Sequence, residues 1–297
     1  MPVNRVNISI IGAGRAGSAL ACLMSDSGYG IGSVIDKDSD RARALAERAG
    51  AVNYASSPAG LYDEFDVLLI AVPDDAIANT VEVLAQSGKI STRCTVVHVS
   101  GLHTADILDP CTQQGACAAS FHPCTAFSPA QPVITPFYTA IEGDARAVEI
   151  MTEIAKTIGA VPFTVSAADK ALYHNACTWA SNYLVTVLST AVSVTEGMEP
   201  AVPPEALMGL AEQSVKNFFA GGGAGALTGP IARGDINTVS AHIQALLKKD
   251  RAAALLYCRI GKHTVNLALK QGGDTQAIGA IDRLFDSVIQ DTAHGAG

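Results

Sequence analysis

The stretch Val6-Asn7-Ile8-Ser9-Ile10-Ile11-Gly12-Ala13-Gly14-Arg15-Ala16-Gly17 joins a short apolar run to a glycine loop, and a helical pattern follows to residue 27. The spacing Gly-x-Gly-x-x-Gly has a mechanical reading. The first glycine allows a tight turn, the second lets backbone approach a pyrophosphate, and the third lets the helix pack closely on the strand. The helix N-terminus adds N–H donors and a positive dipole end. A glycine loop alone is weakly diagnostic. Here the preceding strand, the following helix and a downstream acid make the signal strong.

The acid is Asp36, which closes the run Ile31-Gly32-Ser33-Val34-Ile35. A carboxylate there accepts hydrogen bonds from the adenine-ribose hydroxyls and repels a 2′-phosphate, which leans the cofactor towards NAD over NADP. Lys37 and Arg41 stand nearby and would tolerate NADP. The alternative is that Asp36 only caps the turn before the helix at 39. The expected cofactor set is Gly12, Ala13, Gly14, Arg15, Ala16, Gly17, Asp36 and Lys37. It is joined by Val72 and Pro73, where the next strand ends, and by Ser100.

Outward from this loop, apolar runs alternate with helical patterns over the first 165 residues, as in a mostly parallel sheet with helices on its faces. Strands are expected near 5–11, 31–36, 66–72, 94–99, 116–121, 137–142 and 161–165, with a short one at 52–54. Helices are expected near 15–27, 39–49, 74–87 and 144–159, the last with Asp144 as N-cap. From about residue 166 the strand signals stop. Helices are expected near 168–197, 203–220, 236–248, 250–271 and 276–291, separated by Pro- and Gly-containing turns. The division is a dinucleotide-binding domain over 1–165 and a helical substrate and dimerisation domain over 166–297.

The 297 residues are ample for two such domains, and 48% of them are hydrophobic. Twenty Lys and Arg against 28 Asp and Glu leave a net charge of -8, unlike a surface that must neutralise nucleic-acid phosphates. Cys22, Cys94, Cys111, Cys117, Cys124, Cys177 and Cys258 contain no Cys-x-x-Cys pair. No metal site and no disulfide framework are expected from that spacing. The opening MPVNRVNISI lacks a secretory apolar core, so the expected location is cytoplasmic. Residues 171–195 carry no Lys, Arg, Asp or Glu. Their many Ser, Thr and Asn residues point to a helix buried in protein rather than a membrane span.

Candidate chemistry gathers at strand ends and on one helix. Ser100, in Ser100-Gly101-Leu102-His103, could orient a substrate carbonyl or carboxylate, or simply form a turn. His98 reads as a core histidine, whereas His122, in Phe121-His122-Pro123, falls near a cleft mouth. In the segment starting at Asp169, helical spacing puts Lys170, His174, Cys177 and Ser181 on one narrow polar stripe. A cation there could bind a carboxylate or protonate a developing alkoxide or amine. The expected catalytic residues are Lys170, His174, Ser100 and His122. Ser181 and Arg233, the latter in Leu227–Asp235, are expected at the substrate.

These segments also resemble a known family. Ile11–Leu20, Ser100–His103, Phe121–Pro123, Asp169–His174, Ala180–Leu184 and Leu227–Asp235 are similar to signatures of Rossmann-like proteins catalogued as presumed NADP oxidoreductases. Their helical half was long catalogued as a domain of unknown function. More distantly the chain resembles β-hydroxyacid dehydrogenases, ketopantoate reductases, pyrroline-5-carboxylate reductases and prephenate dehydrogenases. The resemblance implies a Rossmann domain followed by a helical dimerisation domain, and hydride transfer with NAD or NADP. By position, Lys170 matches the acid/base lysine of the β-hydroxyacid group, but His174 stands where that group has Asn. The expected activity is hydride transfer to or from a C=O or C=N bond of a small carboxylate-bearing molecule. The expected assembly is a homodimer through the C-terminal domain. A dinucleotide-binding sensor or scaffold without turnover is the alternative.

Overall fold

A computed structural model describes residues 6–62, 65–128, 135–221 and 223–294. Residue 5, where the first expected strand begins, and Gly222 of the expected 221–223 turn lie outside the described residues. By compactness the chain divides into two units, Met1–Ser181 and Asn182–Gly297.

The first unit is an α/β layer of Rossmann type. Its elements run β1 (Asn7–Ile11), α1 (Arg15–Asp26), β2 (Gly30–Ile35), α2 (Ser39–Ala49), β3 (Asn53–Ala55), β4 (Val67–Ile70), α3 (Asp74–Gln86), β5 (Thr95–His98), α4 (Asp109–Thr112), β6 (Cys117–Cys124), β7 (Phe137–Gly143), α5 (Ala145–Thr157), β8 (Ala160–Thr164) and α6 (Lys170–Thr178). Among the described residues the strands form one sheet in the order β3-β2-β1-β4-β5-β6-β7-β8. β1 to β6 pair in parallel, β7 runs antiparallel to β6, and β8 is parallel to β7.

The continuous apolar runs are explained by burial of both faces. Every residue of β4 is buried, and its side chains alternate between two cores. Val67 and Leu69 join Leu20 and Met24 of α1 and Met151 and Ile154 of α5. Leu68 and Ile70 join Ile77, Val81 and Leu84 of α3. α2 is capped by Asp38, whose side chain accepts from the N–H groups of Asp40 and Arg41, worth about 1 kcal/mol.

Several expected boundaries move. β6 continues through His122 and Pro123 to Cys124, because β7 pairs with it that far. Asp144 stands at the N-cap position of α5, but its carboxylate does not cap the helix. It accepts instead from Ala118 N–H at 2.7 Å, tying the helix start to β6. The long helix expected over 168–197 is interrupted. α6 gives way to a π turn at Trp179–Tyr183 before α7 (Leu184–Thr195). A π turn carries one extra residue per turn and so rotates everything beyond it. Ser181 sits inside it, and the straight polar stripe read from helical spacing ends there.

The second unit is helical: α7, α8 (Pro204–Ala220), α9 (Ile236–Lys249), α10 (Arg251–Lys270) and α11 (Thr275–His294). Val239 and Ile243 of α9, Cys258 and Val265 of α10, and Ile278, Ile281 and Phe285 of α11 form its core. α7 and α8 bury none of their residues, although Val185, Met208, Leu210, Phe218 and Phe219 are large and apolar. Among the described residues no helix is long and apolar enough to cross a membrane.

Candidate active site

β1 neighbours both β2 and β4, so the winding of the parallel sheet reverses there. In open α/β sheets ligands sit beyond the carboxyl ends of the strands at such a reversal. The glycine loop lies on that edge. Gly12 has φ +105°, and a β-carbon on it would lie 2.4 Å from the Ala71 carbonyl oxygen. Gly17 is as closely packed, with its hypothetical β-carbon 1.9 Å from Gly12 O, whereas the space beside Gly14 is open. α1 starts after Gly14 with no side-chain cap and no acid in its first turn. Exposed Arg15 adds a cation at that mouth. Two glycines fitted to the fold and one facing open space, over an uncapped helix N-terminus, are what a pyrophosphate cradle requires.

Asp36 follows β2 at the same edge and is already engaged. Its Oδ2 accepts from Ala13 N–H at 2.7 Å and its Oδ1 from Asp38 N–H at 2.9 Å. A carboxylate has roughly four acceptor positions, so capacity remains for ribose hydroxyls. Asp36 thus braces the glycine loop and, through Asp38 N–H, also caps the turn before α2, while the cap of the helix itself is Asp38. Lys37 is exposed, and Arg41 is paired with Asp38 at 3.2 Å. Val72 and Pro73 follow β4 beside Gly12, with Pro73 exposed.

The turn after β5 is the next feature along this edge. Ser100 is 4% exposed, and its hydroxyl accepts from the N–H groups of Leu102 and His103, both at 3.1 Å. The hydroxyl expected at the substrate is therefore engaged in shaping the turn. His98 holds the turn from below: its Nδ1 accepts from Ser100 N–H at 3.1 Å, and Nε2 lies 3.1 Å from Thr104 O. Because Nδ1 accepts, the proton sits on Nε2 and is donated to Thr104. Burial lowers the His98 pKa to about 4, which keeps the ring neutral.

Gly101 then meets two imidazoles. A β-carbon on it would lie 2.6 Å from His174 Cδ2 and 2.8 Å from His122 Nε2. The rings of His122 and His174 stand edge to face with centroids 5.8 Å apart. Burial, with repulsion from His174 and Lys170, lowers His122 to about 4, so its ring is neutral near pH 7. The two histidines, far apart in sequence, form one corner against the Gly101 backbone.

Lys170 begins α6 but points into the protein. It is 2% exposed, its ammonium donates to Ser120 Oγ, and it lies 3.7 Å from Glu142 Oε2. Burial lowers its pKa, while the Glu142 carboxylate pulls the other way. Ser120 in turn donates to Ser100 O at 3.2 Å, so the buried cation reaches the Ser100–Gly101 turn through one hydroxyl. Glu142 also accepts from Ala105 N–H at 3.0 Å. Neither Ser120 nor Glu142 stands out in the sequence. Both lie in ordinary strand patterns, and only their contact with Lys170 marks them.

Two expected residues remain, each described within its own unit. Ser181 is exposed, its hydroxyl donating to Cys177 O at 2.7 Å. Arg233 is exposed on the second unit's turn before α9, and Asp235 caps that helix by accepting from Thr238 N–H and Oγ1.

Residues 1–123 match the Rossmann-like domain family, and residues 137–264 match the family described as a domain of unknown function, DUF2520. A search of curated proteins returns no match. Among solved structures, the chain is similar to a presumed NADP oxidoreductase of Bacteroides fragilis. The identity is 20%, the TM-score 0.77, and 88% of this chain and 98% of that one are covered. A Thermotoga maritima protein is 25% identical with TM-score 0.66, covering 89% and 99%. An imine reductase of Streptomyces aurantiacus is 16% identical with TM-score 0.62, covering 98% and 95%.

Proposed function

We propose that the chain is an NAD(P)-dependent oxidoreductase that transfers hydride to or from a C=O or C=N bond of a small carboxylate-bearing substrate. One observation carries the reading: the pyrophosphate cradle follows β1, the Gly101 turn on which His122 and His174 stand follows β5, and these parallel strands end on the same sheet edge. The likeness to a presumed NADP oxidoreductase and to an imine reductase supports it.

Residues 1–165 act as the dinucleotide-binding domain and 166–297 as the helical domain. The Gly12–Gly17 backbone would hold the pyrophosphate, Asp36 the adenine ribose and Val72-Pro73 the neighbouring wall, with NAD favoured over NADP. The nicotinamide supplies or accepts the hydride when bound. His174 donates the proton that accompanies reduction, or accepts it in the reverse direction. Neutral His122 orients the reacting oxygen or nitrogen against Gly101. Lys170 acts one layer back: paired with Glu142 and bonded to Ser120, it holds the Ser100 turn in place and raises the local positive potential. Ser181 and Arg233 are assigned to substrate binding, Arg233 through its fork of donors to a carboxylate.

The unburied apolar residues of α7 and α8 support a homodimer through the C-terminal domain, since apolar surface on this scale normally has a partner. Sedimentation analysis tests that assembly, and a monomer at micromolar concentration rejects it.

The test of activity combines NADH fluorescence titration with a turnover screen of keto acids and cyclic imines. The expected result is saturable NADH binding, with oxidation by at least one carboxylate-bearing substrate. His174→Ala and Lys170→Ala should keep binding while turnover falls by about 10²-fold or more. Binding without turnover across the screen would leave a dinucleotide sensor as the correct reading.

A further inference from the structure

Beneath the histidine corner, and sharing His122 with it, lie two thiols that hydride transfer does not use. Cys124 ends β6, Cys177 lies near the end of α6, and His122 sits two residues before Cys124. One donor atom from each of these three residues lies within 4.8 Å of the others, and all three side chains are half-buried. The two Sγ atoms are 3.9 Å apart. Tyr173 reaches into the same space: its phenol oxygen is 2.7 Å from His122 Nδ1 and 2.7 Å from Cys124 Sγ.

We propose that His122, Cys124 and Cys177 form a binding site for a soft divalent cation, zinc in the first place, with the fourth position open. Zinc takes thiolate sulfur at about 2.3 Å in tetrahedral geometry, which sets an ideal S···S edge of about 3.8 Å. The observed separation already matches that edge. Two thiolates and a neutral imidazole are the donor types zinc prefers, and two thiolates balance its charge. Half-burial leaves an entry path, and the phenol marks the point on which the donors converge. On binding, the cation takes that point, both thiols release their protons, and the Tyr173 ring turns aside.

The cluster also connects to the corner above it. His122 is bound at Nδ1, so its proton is fixed on Nε2, the atom that faces Gly101. Metal binding therefore sets the tautomer that presents a donor there. The site itself rests on the side-chain geometry and stands independently of the hydride-transfer reading.

The experiment titrates Co²⁺ into the full-length chain, kept reduced, with both thiols of the cluster confirmed free by thiol titration. The expected result is one Co²⁺ per chain with ligand-field bands of a tetrahedral site and a thiolate charge-transfer band, both bleached by Zn²⁺. Cys124→Ser, Cys177→Ser and His122→Asn should each weaken binding at least about tenfold, the loss that even an outer-shell partner can cause. Circular dichroism checks that each variant remains folded. Cys258→Ser, in the second unit's core, should leave affinity unchanged. Tyr173→Phe should keep the spectrum, since the phenol is displaced and not a ligand. Failure of the reduced wild-type chain to take up Co²⁺ or Zn²⁺ overturns the proposal. Bands that survive in the Cys124→Ser/Cys177→Ser double variant do the same.

Discussion

The Lys170 ammonium lies 3.7 Å from the Glu142 carboxylate, and the two side chains are 2% and 10% exposed. An ion pair this deep is held by mutual need, because removing either partner leaves a charge without water or counter-charge. Lys170→Met or Glu142→Leu alone should lower unfolding free energy by about 3 kcal/mol or more. The double variant should lose much less than the sum of the two. Urea denaturation of the four proteins gives the coupling directly. Additive losses would mean that the pair is not coupled.

Gly12 and Gly14 should fail in different ways. Gly12→Ala puts a β-carbon into the Ala71 carbonyl at a positive φ, so it should lower Tm by several degrees and impair nucleotide binding. Gly14→Ala meets nothing within 4 Å, so Tm should hold while NADH affinity falls about tenfold, roughly 1.4 kcal/mol. Thermal melts beside fluorescence titrations separate the two. Equal loss of Tm in both variants would argue that the space beside Gly14 is not a ligand cradle.

Asp36 should control the choice between NAD and NADP. Asp36→Ser removes the charge that repels a 2′-phosphate and leaves Lys37 exposed beside the site. The ratio of the NADPH and NADH dissociation constants should move towards NADPH by about tenfold or more. Because Asp36 also braces Ala13 N–H, both affinities should fall somewhat, so the ratio is the quantity to compare. An unchanged ratio would remove Asp36 from cofactor discrimination.

The chain should lose stability in mild acid, and His98 should account for part of the loss. Its folded pKa is about 4 against an ordinary value near 6.5, so the unfolded chain binds a proton that the folded chain refuses. The stabilisation is fully present above pH 6.5 and disappears as pH falls from 6.5 to 4, a span worth about 3 kcal/mol for His98. His122 contributes in the same direction over the same window. Urea midpoints at pH 7 and pH 4.5 measure the change. His98→Gln should flatten the profile, and an unaltered slope would count against this assignment.

Gly101→Ala probes the histidine corner itself. Its β-carbon must displace both His174 and His122, so turnover should fall at least tenfold while NADH affinity stays within about twofold. Parallel loss of cofactor binding would show that the turn supports the nucleotide rather than the reacting groups.

What could be read directly from residue order were the local features. A strand buried on both faces must be apolar throughout, so Val67–Ile70 announces itself. A pyrophosphate turn needs glycines at fixed spacing, and the helical half follows from the end of strand patterns and the spacing of Gly and Pro. These features repeat every two to four residues, within the reach of local backbone geometry. The inward turn of Lys170, the engagement of Ser100 in its own turn, and the roles of Glu142 and Ser120 depend on partners elsewhere in the chain. So does the meeting of His122 and Cys124 with Tyr173 and Cys177, which are separated from them by some fifty residues. Helical spacing put Lys170 and His174 on one polar stripe. Packing sent the lysine to a buried carboxylate and the histidine to the sheet edge, because α6 lies against β6 and two neighbours on one helix face can meet different environments. Only the tertiary structure could decide that difference.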